Sequence, residues 1–149
     1  MNPQELENYL RQQIPLTQAL DVKVVRAESD SCEVLAPLNP NRNHLGTAFG
    51  GSLNSILLLA CYTWLFNLLK KQGFDEHIVL KSSEIKYLLP VQEDIRAICK
   101  SPREQDLHKF LSAYKKKRRA RIRLTATISV KEGTACELTG EFVTLGGEK

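Results

Sequence analysis

The longest apolar segment of the chain covers residues 52–69, and its hydrophobic side chains would fall on nearly every side of a helix. The segment is shorter than the roughly 20 apolar residues that span a bilayer, and Asn54, Tyr62 and Asn67 interrupt it. A helix that is hydrophobic all round but too short to span is typical of the centre of a globular fold. We therefore predict a buried central helix that ends at Gly73, and no membrane association.

The segments on both sides of this helix have the alternating pattern of strands. The alternation is clearest in residues 121–131, where one side is apolar and the other carries Arg, Thr and Ser. Further strand-like segments are residues 22–28, 32–38, 78–88 and 95–100, and a last one passes through Phe142 and Val143. Only a short polar turn separates 78–88 from 95–100, so we expect these two to pair as an antiparallel hairpin.

Two further helices are predicted from their starting residues. Asn2 as N-cap, Pro3 at the first helical position and Glu5 at the third are typical of a helix start. Ser101 and Glu104 have the spacing of a capping box, which predicts a short helix with an apolar face between two strands. Helices and antiparallel strands in this order favour an α+β fold, and 149 residues suit a single domain covering residues 1–149.

Composition and cysteine spacing narrow the class of protein. The net charge of +4 is modest for a chain with 26% charged residues. The four cysteines lie far apart in apolar or strand-like segments and form no C-x-x-C pair: Cys32, Cys61, Cys99 and Cys136. This spacing favours reduced, buried thiols over disulfides or a metal site. Because the N-terminus also lacks the apolar run of a signal peptide, we expect a cytoplasmic protein without a bound metal.

The loop before the central helix is the strongest candidate for a binding site. It is polar and rich in glycine, with Gly46, Gly50 and Gly51, and no Asp or Glu occurs anywhere in residues 34–74. Backbone N–H groups at a helix start have no partner within the helix, and the helix dipole makes that end electropositive. A carbonyl that develops negative charge is stabilised at such a position. The glycines allow a ligand to approach the backbone closely.

This loop and helix start, with Phe49-Gly50-Gly51 and the later segment from Ser83 to Val91, resemble the hotdog family of acyl-thioester enzymes. The resemblance extends over essentially the whole chain. It implies an antiparallel sheet wrapped around a long central helix. It also implies a dimeric protein, either a homodimer or a dimer of dimers, with active sites at the subunit interface.

Within that family the chain departs from the common thioesterase signature. The signature has His-Gly-Gly at the helix start and an acid nine residues after the His, but here those two positions are Phe49 and Leu58. The pattern from Asn41 and Asn43 through Gly46 to Ser52 is instead similar to a subgroup labelled "putative thioesterase". That subgroup includes malonyl-acyl-carrier-protein decarboxylases and also occurs fused behind an acetyltransferase domain.

The missing acid leaves three activities open. Decarboxylation of a malonyl thioester needs no base, and the Asn43 amide with the Gly51 N–H would stabilise the enolate. Hydrolysis needs a displaced base, for which His44 is the main candidate and Glu84 a weaker one. The third possibility is a binding module that has no catalytic activity. Under all three, the acyl group arrives on the phosphopantetheine arm of coenzyme A or of acyl carrier protein, and no other cofactor is expected.

Other candidate residues have weaker support. The substrate-binding set is Thr47, Phe49, Gly50, Ser52 and Leu58, of which Thr47 and Ser52 are better suited to capping the helix. Cations crowd together between positions 115 and 123, and the carrier's phosphates or acidic surface would contact Lys117, Arg118, Arg119 and Arg121. This basic run lacks interleaved aromatic residues and a known binding motif, so we do not expect it to bind nucleic acid.

Overall fold

The computed structural model describes residues 1–74 and 77–146. Its four helices are α1 (Pro3–Gln13), α2 (Leu16–Leu20), α3 (Gly50–Gln72) and α4 (Glu104–Lys117). Its six strands are β1 (Lys23–Ala27), β2 (Ser31–Ala36), β3 (His77–Tyr87), β4 (Ile95–Lys100), β5 (Arg119–Val130) and β6 (Gly133–Leu145). A short 3-10 turn at Asn39–Asn41 precedes α3.

The strands form one antiparallel sheet in the order β1-β2-β4-β5-β6-β3. Along β5, Ile122, Leu124 and Ile128 are buried against the helix side, while the arginines between them are exposed. The sheet curves around α3, whose residues are buried on most sides, from Leu53 to Leu69. The predicted α+β hotdog fold, with an antiparallel sheet wrapped around a long central helix, is therefore confirmed.

The central helix has the length of a membrane span but lies in the protein core. α3 is 23 residues long, and 67% of its most apolar stretch is buried. Gly73 adopts a left-handed conformation (φ 71°) and ends the helix, as predicted. α3 is apolar on most sides because it packs under the sheet in the protein core.

The predicted hairpin between residues 78–88 and 95–100 is wrong. β3 pairs with β6 at the edge of the sheet, whereas β4 pairs with β2 and β5 in its middle. The connection crosses beneath the start of α3, where the Val91 carbonyl accepts a 2.8 Å hydrogen bond from the Ala48 N–H. Val91 is only 1% exposed, so burial of its side chain anchors the crossing. Because of this crossing, the end of β3 lies close to the start of α3.

One helix start was predicted correctly and the other was not. At α1, Asn2 and Glu5 form the reciprocal capping box, with both hydrogen bonds at 2.9 Å. At α4, the N-cap is Arg103, and Glu104 is the first helical residue instead of the third. Ser101 lies two residues before this N-cap, and its hydroxyl donates to the Pro102 carbonyl instead of accepting from the first turn. The predicted capping box at Ser101 is therefore wrong, although the helix that it announced exists.

All four cysteines are free and buried. Burial raises the pKa of Cys32 to about 12 and that of Cys136 to about 11. A hydrogen bond with Cys61, together with burial, also raises the pKa of Cys99. Cys32, Cys99 and Cys136 therefore remain neutral thiols at physiological pH, which makes them poor nucleophiles and poor metal ligands.

Candidate active site at the start of the central helix

The loop that leads into α3 is a closed turn. Arg42 and Ala48 form an antiparallel bridge, and inside it the Asn43 N–H donates to the Thr47 carbonyl at 2.7 Å. Gly46 adopts a positive φ of 80° at the tip, a conformation that residues with a side chain rarely adopt. The Phe49 N–H then donates to the Asn41 carbonyl at 2.7 Å. These bonds fix the position from which α3 begins.

The start of α3 has no side-chain cap. Its N-cap residue is Phe49, whose side chain cannot accept a hydrogen bond, and the first backbone bond runs from the Leu53 N–H to the Phe49 carbonyl at 3.0 Å. Within the described chain, the N–H groups of Gly50, Gly51 and Ser52 have no hydrogen-bond acceptor. Three donors at the positive end of a 23-residue helix are therefore available to a ligand.

A cavity of about 340 Å³ lies beside this helix start. Its lining is mainly apolar and comes from the start of α3 and from the crossing after β3: Ala48, Gly50, Leu53, Tyr87, Leu88, Leu89, Pro90 and Val91. Pockets of this size are within the range that binds small ligands. The cavity therefore combines an apolar lining with the polar start of α3.

Tyr87 connects the sheet to the helix start, and it was not among the residues predicted for the site. Its hydroxyl donates a 3.0 Å hydrogen bond to the Gly50 carbonyl, and its ring lies 3.5 Å from the position that a Gly50 Cβ would occupy. Although Tyr87 is 53% exposed, partial desolvation raises the pKa of its phenol, so it remains a neutral donor. Tyr87 thus forms one wall of the cavity at the place where the two elements meet.

The two glycines of the helix start face different neighbours. A Cβ added to Gly51 would lie 2.6 Å from Cε1 of Phe49, because the Phe49 ring folds over that residue. At Gly50, a Cβ would meet only ordinary contacts with Tyr87. Close packing therefore requires glycine at residue 51 as long as the Phe49 ring lies over that residue. Phe49 itself remains 55% exposed, so its ring can move or cover a ligand.

The Asn43 amide is engaged within its own loop. Its Nδ2 donates to the Thr47 hydroxyl at 2.8 Å, and its Oδ1 accepts from the N–H groups of Leu45 at 2.9 Å and of Thr47 at 3.2 Å. Thr47 is therefore used to hold the loop and does not cap α3. One N–H of the Asn43 amide remains after these bonds. His44 follows it, exposed at the surface of the loop.

The other predicted residues are distributed along the helix and the sheet. Ser52 is half-buried in the first turn of α3, and Leu58 is half-buried eight residues beyond Gly50, about 12 Å along the axis. Of the predicted residues, only Gly50 lines the cavity. Glu84 is exposed and lies three residues before Tyr87, which places it on the opposite face of β3. It therefore does not reach the cavity within its own subunit.

The predicted cationic residues lie at the far end of the sheet. Lys117 ends α4, Arg118 adopts a left-handed conformation (φ 55°) after it, and Arg119 begins β5. Arg119 is aligned through Leu145 with His77, whereas Tyr87 is at the other end of β3. Of these four predicted cations, Arg121 is the one that lies close to other cations. It is positioned beside α4.

Asn41 has a structural role that the sequence did not identify. It is 1% exposed, and its Nδ2 donates at 2.9 Å to both the Leu20 and the Pro37 carbonyls. These bonds tie the end of α2 and the end of β2 to the turn that precedes the site. In the described residues its Oδ1 is buried without a hydrogen-bond partner.

Comparison with known proteins identifies the family and the fold of the chain. The family model described as "Putative thioesterase (yiiD_Cterm)" matches residues 3–146. No curated protein matches the chain significantly. Among solved structures, a protein of unknown function from Chlorobaculum tepidum is 27% identical with a TM-score of 0.91, and the match covers 98% of each chain.

Two other solved structures show the same fold at lower identity. A "putative thioesterase" from Shewanella oneidensis is 23% identical with a TM-score of 0.87, and the match covers 96% of each chain. A "probable thioesterase" from Pseudomonas aeruginosa is 18% identical with a TM-score of 0.79, and the match covers 97% of each chain. At these identities the likeness establishes the hotdog fold and does not establish an activity.

We predict that Asn41→Ala lowers the free energy of unfolding by about 2 to 4 kcal/mol, because two buried carbonyls lose their donor. Urea unfolding followed by circular dichroism measures this change. Asn39→Ala, in the same turn but exposed, serves as the control and should change stability by less than about 0.5 kcal/mol. Equal stability of the two variants would show that the Asn41 bonds do not hold the turn.

Proposed function

This chain belongs to the family described as "Putative thioesterase (yiiD_Cterm)", and we propose that it acts on acyl thioesters bound at the start of α3. The observation that carries the proposal is the set of free N–H groups at Gly50, Gly51 and Ser52 beside an apolar cavity. A thioester carbonyl that gains negative charge would accept hydrogen bonds from these donors. Each such donor is commonly worth roughly 3 to 4 kcal/mol in a transition state.

Decarboxylation of a malonyl thioester is the reaction that this arrangement favours. The bond between C2 and the carboxylate carbon breaks, carbon dioxide leaves, and the electron pair moves into the thioester carbonyl to form an enolate. A proton from solvent water then adds to C2, leaving hydroxide, and gives an acetyl thioester. The helix start would stabilise the enolate oxygen, and the remaining N–H of Asn43 is a candidate for a further donor.

The charge around the cavity favours the same reaction. None of the described residues that line it is a carboxylate, and Glu84 faces the other side of the sheet. The apolar lining would remove water from the substrate's own carboxylate and destabilise its charged form. Loss of carbon dioxide relieves this cost.

Hydrolysis is the second candidate, and the family description favours it. It requires a base that removes a proton from the attacking water. His44 is the nearest titratable candidate in the loop, and it is exposed to solvent. A third possibility is that the protein binds acyl thioesters without converting them.

The substrate would bring its own carrier group. We propose that the acyl group is held on a phosphopantetheine arm of coenzyme A or acyl carrier protein, in the cytoplasm. Decarboxylation needs no additional cofactor, because the thioester carbonyl itself accepts the electron pair.

We further propose that two copies of the chain pair through β3. This strand is 11 residues long and, among the described residues, bonds on one side only, to β6. An unpaired edge of this length is a template for pairing with another strand. Val79, Leu80 and Tyr87 on it are 51%, 42% and 53% exposed. Pairing would cover these side chains and bring a second subunit next to the cavity.

The reaction is tested by product analysis with malonyl, acetoacetyl and long-chain thioesters of both carriers. We expect mass spectrometry to find an acetyl thioester and carbon dioxide from the malonyl substrates. Free thiol with free acid would identify a hydrolase and contradict decarboxylation. Recovery of every substrate intact, despite measurable binding, would identify a binding module.

Asn43→Ala is predicted to fold normally and to lower kcat about 100-fold, as expected for loss of a hydrogen-bond donor to the enolate. The alanine variant also removes the loop bonds to Leu45 and Thr47. Asn43→Asp is therefore the matched variant, because it keeps an acceptor for both backbone N–H groups and loses the donor. Steady-state kinetics and thermal unfolding are measured for both.

If Asn43 acts as a donor to the substrate, the aspartate variant loses kcat as strongly as the alanine variant while its melting temperature stays close to that of the wild type. A wild-type rate in Asn43→Asp would assign Asn43 to the loop alone and remove it from the mechanism.

The pairing of subunits predicts a molecular mass of about twice 16.8 kDa in solution. Leu80→Glu places a charge in the proposed interface and should give a monomer in light scattering coupled to gel filtration. Leu16→Glu, which changes a leucine that is 54% exposed on α2, should remain a dimer. A monomeric wild-type protein at micromolar concentration would contradict the pairing.

A further inference from the structure

Two adjoining hollows of about 440 and 480 Å³ lie between α4 and β5. They form because β4 pairs with β5 only through residues 126–128. The first half of β5 therefore has no strand on that side, and α4 lies beside it instead. The hollows share Arg103, Asp106 and Arg123, so they make one continuous groove.

The groove is strongly cationic. Its positive side chains come from β4, from the N-cap of α4, from α4 itself and from β5: Lys100, Arg103, Lys109, Arg121 and Arg123. The single acid in the described lining is Asp106, whose carboxylate already accepts a 3.0 Å bond from Arg103 Nε. The five cations outnumber this acid and repel one another in the free protein, although Glu84 and Glu141 line a neighbouring hollow with Arg123. A negatively charged partner would remove that repulsion.

Weak ion pairs do not neutralise the groove. The Arg121 guanidinium lies 3.7 Å from the Glu141 carboxylate on β6, and the Arg121 side chain is 64% exposed. Exposed pairs of this kind contribute little and exchange readily for another partner. Arg121 is therefore free to bind an incoming carboxylate or phosphate.

The shape and lining of the groove favour a protein over a nucleotide. Lys100 lines only one hollow and Lys109 only the other, while Arg103 and Arg123 line both, so the cations extend along the whole groove. The aromatic residue in the described lining is Phe110, which is 2% exposed and offers no face on which a base can stack. An extended row of carboxylates on a helix matches this distribution of charge.

We propose that the groove between α4 and β5 is the docking surface for the acidic face of an acyl carrier protein. This inference rests on the proposed function, because it assigns the source of the thioester that reaches α3. Of the four cations predicted from the sequence to contact the carrier, Arg121 is the one that lines this groove. Lys117, Arg118 and Arg119 lie outside the groove lining.

The test measures binding of a carrier protein that holds the phosphopantetheine arm without an acyl group, so that no turnover is required. The double variant Lys109→Gln/Arg123→Gln removes two groove cations without adding a like charge. We expect isothermal titration calorimetry to give a Kd at least about tenfold weaker than that of the wild type. The wild-type Kd should also weaken as salt is raised, since salt screens exposed charges.

The matched control is Lys23→Gln/Lys71→Gln, which removes the same charge from two exposed positions outside the groove. It should bind the carrier protein like the wild type. Coenzyme A is titrated against all three proteins, and its Kd should differ by less than about twofold among them.

Equal weakening in the groove and control variants would show a general charge effect and overturn the proposal. Loss of coenzyme A binding in the groove variant would overturn it in favour of a nucleotide site. Absence of wild-type binding to the carrier protein would also overturn it. Carrier binding without conversion of any thioester would instead reject the proposed reaction and leave the docking surface standing.

Discussion

The start of the central helix is the constraint on which the rest of the site depends. A helix buried under a sheet needs partners for its first N–H groups, yet its N-cap is Phe49, which offers none. Leaving such donors unpaired costs free energy unless water or a ligand binds them. The surrounding hydrogen bonds hold the start of the helix in place but do not occupy its free N–H groups. The Val91 carbonyl takes the Ala48 N–H, and Tyr87 donates to the Gly50 carbonyl.

The same arrangement explains why the surroundings of the site are apolar. A side-chain cap at position 49 would compete with a substrate carbonyl for the free N–H groups, whereas Phe49 leaves them available and covers Gly51. The cavity next to them carries no carboxylate in its described lining. A hydrolase would need an activated water at this place. The proposed decarboxylation needs stabilisation of the enolate and no catalytic base. It therefore accounts both for an N-cap residue that leaves the N–H groups free and for the missing acid.

Local patterns predicted the elements well, but contacts between distant residues determined the site. The burial of α3 and the alternation along β5 follow from the helical and strand periods of their sequences. The strand pairing was missed because it depends on the crossing at Val91, and Tyr87 because it meets Gly50 across 37 positions of sequence. The groove was missed for the same reason. Its cations come from three elements, β4, α4 with its N-cap, and β5, whereas the contiguous run from Lys115 consists of residues that mostly lie elsewhere.

The most direct measurement of the central claim is the response of the backbone amides at the helix start to a bound substrate analogue. A malonyl analogue with an amide in place of the thioester and a sulfonate in place of the carboxylate keeps the carbonyl, resists hydrolysis and cannot lose carbon dioxide. The account predicts that nuclear magnetic resonance will show large downfield proton shifts for the N–H groups of Gly50, Gly51 and Ser52, and none for Glu104 at the start of α4. Unchanged shifts at these three residues in the presence of bound analogue would contradict it.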